Sequence, residues 1–197
     1  MASFGAKYPH FAKIKEEPEG QLPTYEDTPL RIGRLVKAEL SVSMASGKLY
    51  ADDGLAESVE EFVSGSLAME TDDMTDEVAS TVYGAEVKGK AVHYTSSDSA
   101  PVGGLAYYKV LKRHGKLVFK GYFYPRVVAT LGNDTAQTKS DSLTFGTTNT
   151  TFTVFPCESG DWRITQEFER ETEVQAWVKE MLGETPSPTG SEDDTQA

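Results

Sequence analysis

The sequence predicts a mainly β fold: a β-sandwich of two packed antiparallel sheets with a short flanking helix and a C-terminal helix. Three observations point there. Several segments alternate apolar and polar residues with a period of two, as half-buried strands do. The hydrophobic fraction is 38% and Ser and Thr are abundant, a mix that suits strands better than a helical bundle. Only two short segments carry a helical period with caps at their ends.

The N-terminal stretch to Lys15 has no apolar run and reads as an arm leading into the domain. The first strand is Leu35 to Ala45, where Val36, Ala38, Leu40, Val42 and Met44 alternate with Lys37, Glu39, Ser41 and Ser43. Turn chemistry at Ser46-Gly47-Lys48 ends it. A second alternating run spans Val59 to Met69, with Val59, Val63, Gly65, Leu67 and Met69 on one face. The segment between them, Lys48 to Ser58, reads as a long irregular excursion, and loops of that length tend to be functional.

Thr71 to Tyr83 reads as a short helix, with Asp72, Asp73 or Thr75 as cap and Gly84 as stop. Leu105 to Lys112, a turn at His114-Gly115, and Lys116 to Tyr124 form a hairpin. Both of its faces are partly apolar, which predicts cover on two sides, with the core on one and another subunit a candidate for the other. Pro125 lacks a ladder donor and marks a strand end or edge. Ala129 to Asp141 is a polar loop, and Ser142 to Phe155 a Thr-rich strand whose apolar phase switches near Gly146. Trp162 to Phe168 is the last strand, with Trp162, Ile164 and Phe168 on one face.

The C-terminal helix opens with a capping box from Thr172 and Gln175. Val174, Trp177, Val178, Met181 and Leu182 form one apolar stripe, and Gly183 stops it. The reading is one domain over residues 1–183 and a disordered acidic tail over 184–197.

Net charge is −12 over 197 residues, which argues against a protein that binds nucleic acid by neutralising phosphates. Leu49 to Val87 holds eleven acidic residues and neither Lys nor Arg, whereas Lys88 to Cys157 holds nine bases and three acids. This segregation suggests either solvated acidic surfaces or charge complementarity between copies. Cys157 is the single cysteine, so no intrachain disulfide forms. No apolar stretch approaches the roughly 18 residues of a membrane span, and the chain is expected to be cytosolic when made.

A search for chemistry predicts no enzyme, no cofactor and no metal. His10, His93 and His114 lack the spacing of a metal site, and His114 is explained by its turn. Asp52, Asp53 and Glu57 lack the spacing of a calcium loop. No phosphate loop, dinucleotide fingerprint or nucleophile elbow is present. Lys109, Lys112, Arg113, Lys116, Lys120 and Arg126 interleave with Tyr107, Tyr108, Phe119, Tyr122 and Tyr124. That is the outline of a single-strand-binding surface, but the overall charge favours an ordinary polar hairpin face or one arm of an interface.

Leu49-Tyr50-Ala51-Asp52-Asp53-Gly54 with Ala56-Glu57, set between two alternating strands, resembles the major tail proteins of long-tailed phages, in particular the phi13-type tail tube proteins. The order of later parts is similar to that family: the acid-capped helix, the hairpin Val102 to Tyr124 with Pro125, the polar loop with Thr138-Lys139, and the strand Ser142 to Val154. The likeness runs from about Tyr8 to Ile164. It implies a structural virion protein, made in the host cytoplasm and placed in the virion tail. Such proteins form hexameric rings that stack into a tube around a tape-measure protein and later conduct DNA without binding it specifically. It implies that Leu49, Tyr50, Asp52, Asp53, Leu55 and Glu57 contact the neighbouring ring; the charge segregation adds the expectation that the acids there meet the basic hairpin residues Lys109, Lys112, Arg113, Lys116, Lys120 and Arg126. It also implies that Glu39, Ser41, Ser43, Ser64 and Ser66 face the lumen. The alternatives are another tail component, such as a distal tail or terminator protein, and a carbohydrate-binding β-sandwich using Tyr107, Tyr122 and Tyr124 as a platform.

Overall fold

The computed structural model describes residues 2–26, 28–51, 54–134 and 147–184. In chain order the elements are β1 (Ala2–Glu16), β2 (Thr24–Tyr25), β3 (Leu30–Arg31), β4 (Leu35–Ala51), β5 (Gly54–Thr71) and α1 (Asp76–Tyr83). There follow β6 (Glu86–Lys88), β7 (Ala91–His93), β8 (Val102–Arg113), β9 (Lys116–Asp134), β10 (Thr148–Phe155), β11 (Ile164–Phe168) and α2 (Glu171–Met181). The protein is mainly β and sandwich-like. A nine-stranded antiparallel sheet runs β2-β1-β8-β9-β10-β5-β4, with β3 added to β1 and β11 to β9, and a two-stranded sheet pairs β6 with β7.

The large sheet curls over its own core. Phe11 on β1 and Phe152 on β10 are separated along the sheet by β8 and β9, yet their ring centroids are 6.2 Å apart. Leu67, Met69, Leu105, Tyr107, Tyr124 and Val127 join them in the central cluster, and α1 covers it with Val78, Val82 and Tyr83. Thr75 caps α1 by accepting the Val78 N–H at 3.3 Å. The helix therefore starts at Asp76 rather than at Thr71.

On β8 and β9 successive residues serve two cores, because side chains alternate across a strand. Leu105 and Tyr107 face the centre, while Ala106, Tyr108 and Val110 face α2. The second cover of this hairpin is thus α2 of the same chain. Its Val174, Trp177 and Val178 are buried, as the apolar stripe predicts. The capping box predicted at Thr172 and Gln175 is displaced: the Glu173 carboxylate accepts the Arg170 N–H at 3.3 Å, so the helix begins at Glu171.

Four further expectations are corrected. The N-terminal stretch is the long strand β1, paired antiparallel to β8 with register shifts at Phe4/Ala6 and Lys7/His10. Pro125 does not end its strand; β9 pairs with β11 over Phe119–Phe123 and with β10 from Arg126 onward, and Pro125 sits where the partner changes. Its missing N–H is harmless at such a shift, and its carbonyl accepts the Tyr25 hydroxyl at 2.7 Å. Trp162 precedes β11 and leaves the face of Ile164 and Phe168 to stack on Phe62, centroids 4.2 Å apart. Finally, Lys48 to Ser58 is not an irregular excursion: Lys48 pairs with Ser58, Leu49 with Glu57 and Ala51 with Gly54. β4 and β5 are one long hairpin, held by backbone pairing where the side-chain pattern gives no strand signal. The end of the polar loop, the expected phase switch near Gly146 and the tail beyond Glu184 lie outside the described residues.

Candidate assembly surface

The β4–β5 hairpin carries most of the residues singled out from sequence. Its proximal half lies on the core through Ala38, Leu40, Leu67 and Met69. Beyond Gly65 a register shift leaves Val63 as an extra residue, since Ser43 pairs with Ser64 but Met44 with Phe62. From there the apolar pattern loses its cover. Val42, Met44, Val59 and Val63 are 41%, 50%, 46% and 51% exposed, and Val36 at the base is 56% exposed. The single apolar face expected from Val59 to Met69 therefore holds only from Gly65 to Met69, because Val59 pairs with Gly47 and lies with Val63 on the Ser43 side, while Val42 and Met44 stay on the Leu40 side. β4 is hydrogen-bonded to β5 alone, so its outer edge presents unpaired backbone groups among the described residues.

The structure brings Glu39, Ser41, Ser43, Ser64 and Ser66 together on one exposed face. Ser41 lies opposite Ser66 and Ser43 opposite Ser64, on the side away from the half-buried Leu40 and the buried Leu67. The row continues across the sheet, because Ser66 pairs with Thr153 and Thr153 with Val128. A shallow concavity of about 270 Å³ runs between Ser41, Ser43, Ser64, Ser66 and Thr153. Lys37 and Glu39 form an ion pair at 2.6 Å beside it. Asp52 and Asp53, and the side chains of Leu49, Tyr50, Leu55 and Glu57, lie outside the described residues.

The basic residues are less available than their clustering implies. Arg113 makes a bidentate pair with Glu167 at 2.7 and 2.8 Å, and Lys120 reaches the same carboxylate at 3.6 Å. Arg126 lies 3.6 Å from Glu17. Lys109, directly opposite Lys120, sits over the rings of Tyr122 and Tyr107 at 5.1 and 5.9 Å. Its pKa is lowered, by burial first and by the nearby Arg163 second. Lys112 and Lys116 remain exposed at the hairpin end. The tyrosine platform is also corrected: Tyr107 and Tyr124 are each only 1% exposed, and burial raises both pKa values. A sugar could reach Tyr122 alone.

Sequence reasoning missed a second concave site. A cleft of about 360 Å³ lies between Lys7 and Tyr8 on β1, Arg31 on β3, Arg34 and Leu35 before and at the start of β4, Tyr108 on β8 and Glu171 on α2. Tyr8 has φ +65, a left-handed conformation that strains a non-glycine residue. Beside it His10 is buried, its ring tilted by 44° against that of Tyr8 with centroids 4.1 Å apart and its Nδ1 3.2 Å from the Tyr8 carbonyl. Its pKa is lowered to about 4, chiefly by burial. These residues lie far apart in sequence and share no spacing, and the only local signal is Tyr8 preceding Pro9. Among the described residues no group of three or more His, Cys, Asp or Glu is placed to hold a metal ion, and no helix is long and apolar enough to cross a membrane. No family model matches the chain, and no curated protein matches it in sequence.

Proposed function

We propose that this chain is a structural protein that assembles with copies of itself into the tube of a phage tail, as stacked hexameric rings around a channel for DNA. One observation carries the reading. The far half of the β4–β5 hairpin presents Val42, Met44, Val59 and Val63 and an unpaired strand edge that nothing in the described chain covers. Exposed apolar side chains on an open edge invite another chain, and in a ring that chain is a second copy. The Ser and Thr rows, with Glu39, lie on the face away from Val42 and Met44 and then line the channel, and the bulge places Val59 and Val63 on that same face nearer the hairpin tip. A hydroxyl-rich wall in a protein of net charge −12 lets DNA slide without adhering.

On this reading the tape-measure protein and other tail proteins are partners, the protein ends in the virion tail, and it performs no catalysis. The hairpin tip, Leu49 to Glu57, meets the neighbouring ring, and Lys112 and Lys116 are the basic groups left free to meet its acids. A distal tail or terminator protein could use the same surface, and the form of the assembly separates these cases. The test is negative-stain microscopy of the purified chain beside Met44→Glu/Val63→Glu and a deletion of Leu49 to Glu57. Long tubes of constant diameter are expected from the parent chain. The deletion variant should stay folded and stop at rings or monomers. A chain that remains monomeric at high concentration, or tubes unchanged in both variants, overturns the proposal.

A further inference from the structure

Among the described residues, the charges of the cleft beside Tyr8 leave one cation over. Glu171, its carboxylate, is already engaged. The Tyr108 hydroxyl donates to Glu171 Oε1 at 2.5 Å, Lys7 Nζ lies 3.4 Å from the same oxygen, and Gln175 Nε2 donates to the Tyr108 hydroxyl at 3.4 Å. The Tyr108 hydrogen bond, then Lys7, hold the Glu171 carboxyl below its ordinary pKa, so this floor stays ionised and fixed. Arg34 has a loose partner in Asp72, 3.8 Å away, with most of its side chain in solvent. Arg31 has no carboxylate partner among the described residues. Its Nε donates to the Gly33 carbonyl at 3.3 Å and its guanidinium lies over the Tyr8 ring at 5.4 Å from the centroid. A guanidinium laid on a ring keeps its terminal N–H groups free to grip a carboxylate edge-on. The ring is carried there by Tyr8 in a left-handed backbone conformation, which residues with a side chain rarely adopt. Such a conformation persists where the surrounding structure fixes it.

We propose that this cleft is a docking site for the acidic segment Ser191–Asp194 of this chain, supplied by the same molecule or by a second copy. The site asks for an extended anion with more than one carboxylate, since both Arg31 and Arg34 line it beside Tyr8 and Leu35. Glu192-Asp193-Asp194 is the densest acidic run in the last twenty residues, and no Lys or Arg follows Lys179. The reach is sufficient. α2 brings Gln175 to the cleft and ends at Met181, so the six residues of helix between them cover about 9 Å at 1.5 Å each. The eight residues from Glu184 to Glu192 can span about 26 Å when extended, enough to turn back along α2 or to cross to a neighbour. The inference is independent of the tube reading.

The test uses the full-length chain carrying Glu192→Gln, Asp193→Asn and Asp194→Asn, so that its own segment cannot compete. A fluorescein-labelled peptide of Pro186 to Ala197 is titrated against it by anisotropy at low salt. Saturable binding is expected, weakening as salt rises. It should fall by about tenfold or more with Arg31→Glu, the scale of a lost charged hydrogen bond. A peptide with the same three neutral substitutions should not bind. Arg31 is exposed, so an unchanged unfolding midpoint verifies the fold, and Arg31→Gln gives a milder second variant with a smaller loss. The unmodified chain tells the sources apart. If it excludes labelled peptide while staying monomeric, the segment docks within one molecule. If it self-associates and the neutralised chain does not, the segment comes from a second copy. No binding at millimolar peptide, or binding indifferent to Arg31→Glu, overturns the proposal.

Discussion

If α2 is locked to the sheet by one ring, then Gly121 and Trp177 must be energetically coupled. Trp177 is 7% exposed and its ring lies flat on Gly121. A Cβ built on Gly121 would fall 2.4 Å from Cζ3 and 2.6 Å from Cε3 of that ring, about 1 Å inside ordinary contact. The ring cannot simply retreat, because Phe168 packs on it with centroids 5.7 Å apart. Gly121→Ala should therefore cost about 1–3 kcal/mol through overpacking. Trp177→Ala should cost about 3–5 kcal/mol, the range for emptying a buried aromatic site. In the double variant the new methyl enters space the indole has left, so Gly121→Ala should cost almost nothing there. The expected coupling energy is about 1–3 kcal/mol. Urea unfolding of the four proteins measures it, provided the m-value stays constant. Additivity within about 0.5 kcal/mol would refute the reasoning and mean that α2 is held mainly by its other contacts.

Two further expectations concern buried polar groups. His10 ionises near 6.5 when unfolded but near 4 in the fold, so between those values the unfolded chain binds more protons. The contribution is complete above pH 6.5 and is lost as pH falls towards 4, by about 3 kcal/mol; His10→Gln should flatten that window in stability measured against pH. Burial dominates, opposed first by the hydrogen bond to the Tyr8 carbonyl and least by Glu184, with Arg31 and Lys179 adding to the lowering. The Tyr83 hydroxyl bonds the buried Thr150 hydroxyl beneath α1. Tyr83→Phe should destabilise by about 1–2 kcal/mol, while Tyr83→Phe/Thr150→Val, which removes both partners, should recover most of that loss.

What could be read from sequence was what local pattern decides. The β8–β9 hairpin was legible because His114 and Gly115 both take positive φ, 49° and 83°, as a two-residue hairpin turn requires, and because both arms alternate. α2 was legible from its stripe, though not its first residue, since a Glu173 carboxylate bonding back to the Arg170 N–H competes well with a Thr at the next turn. β1 was not legible. Its two register shifts break the alternation, and it is buried on both sides, with Phe11 in the central core and Ala12 beneath α2. The tip of β4–β5 was missed because its residue pattern does not specify it; among the described residues each strand there pairs only with the other. The basic cluster was legible as a cluster, but its pairing with Glu167 and Glu17 depends on β11 and the end of β1 arriving alongside, which no spacing announces. The Arg31 cleft needs β1, β3, β8 and α2 in place at once.

These pairings bear on how an assembly would respond to salt. The raw sequence, an acidic run followed by a basic middle, suggests copies held by opposite charge. Yet Arg113 and Lys120 share Glu167, Arg126 has Glu17 and Lys7 has Glu171 within one molecule. The exposed remainder on the basic hairpin is Lys112 and Lys116, and such solvated charges act mainly on the rate of encounter. The apolar side chains of the β4–β5 hairpin, by contrast, gain from leaving water whatever the ionic strength. Raising salt should then slow the first association of copies and leave assembled material intact. Light scattering on dilution into 50 mM and 500 mM salt checks this. Tubes that dissolve at high salt would mean that charge, not the Val42, Met44, Val59 and Val63 surface, holds the copies together.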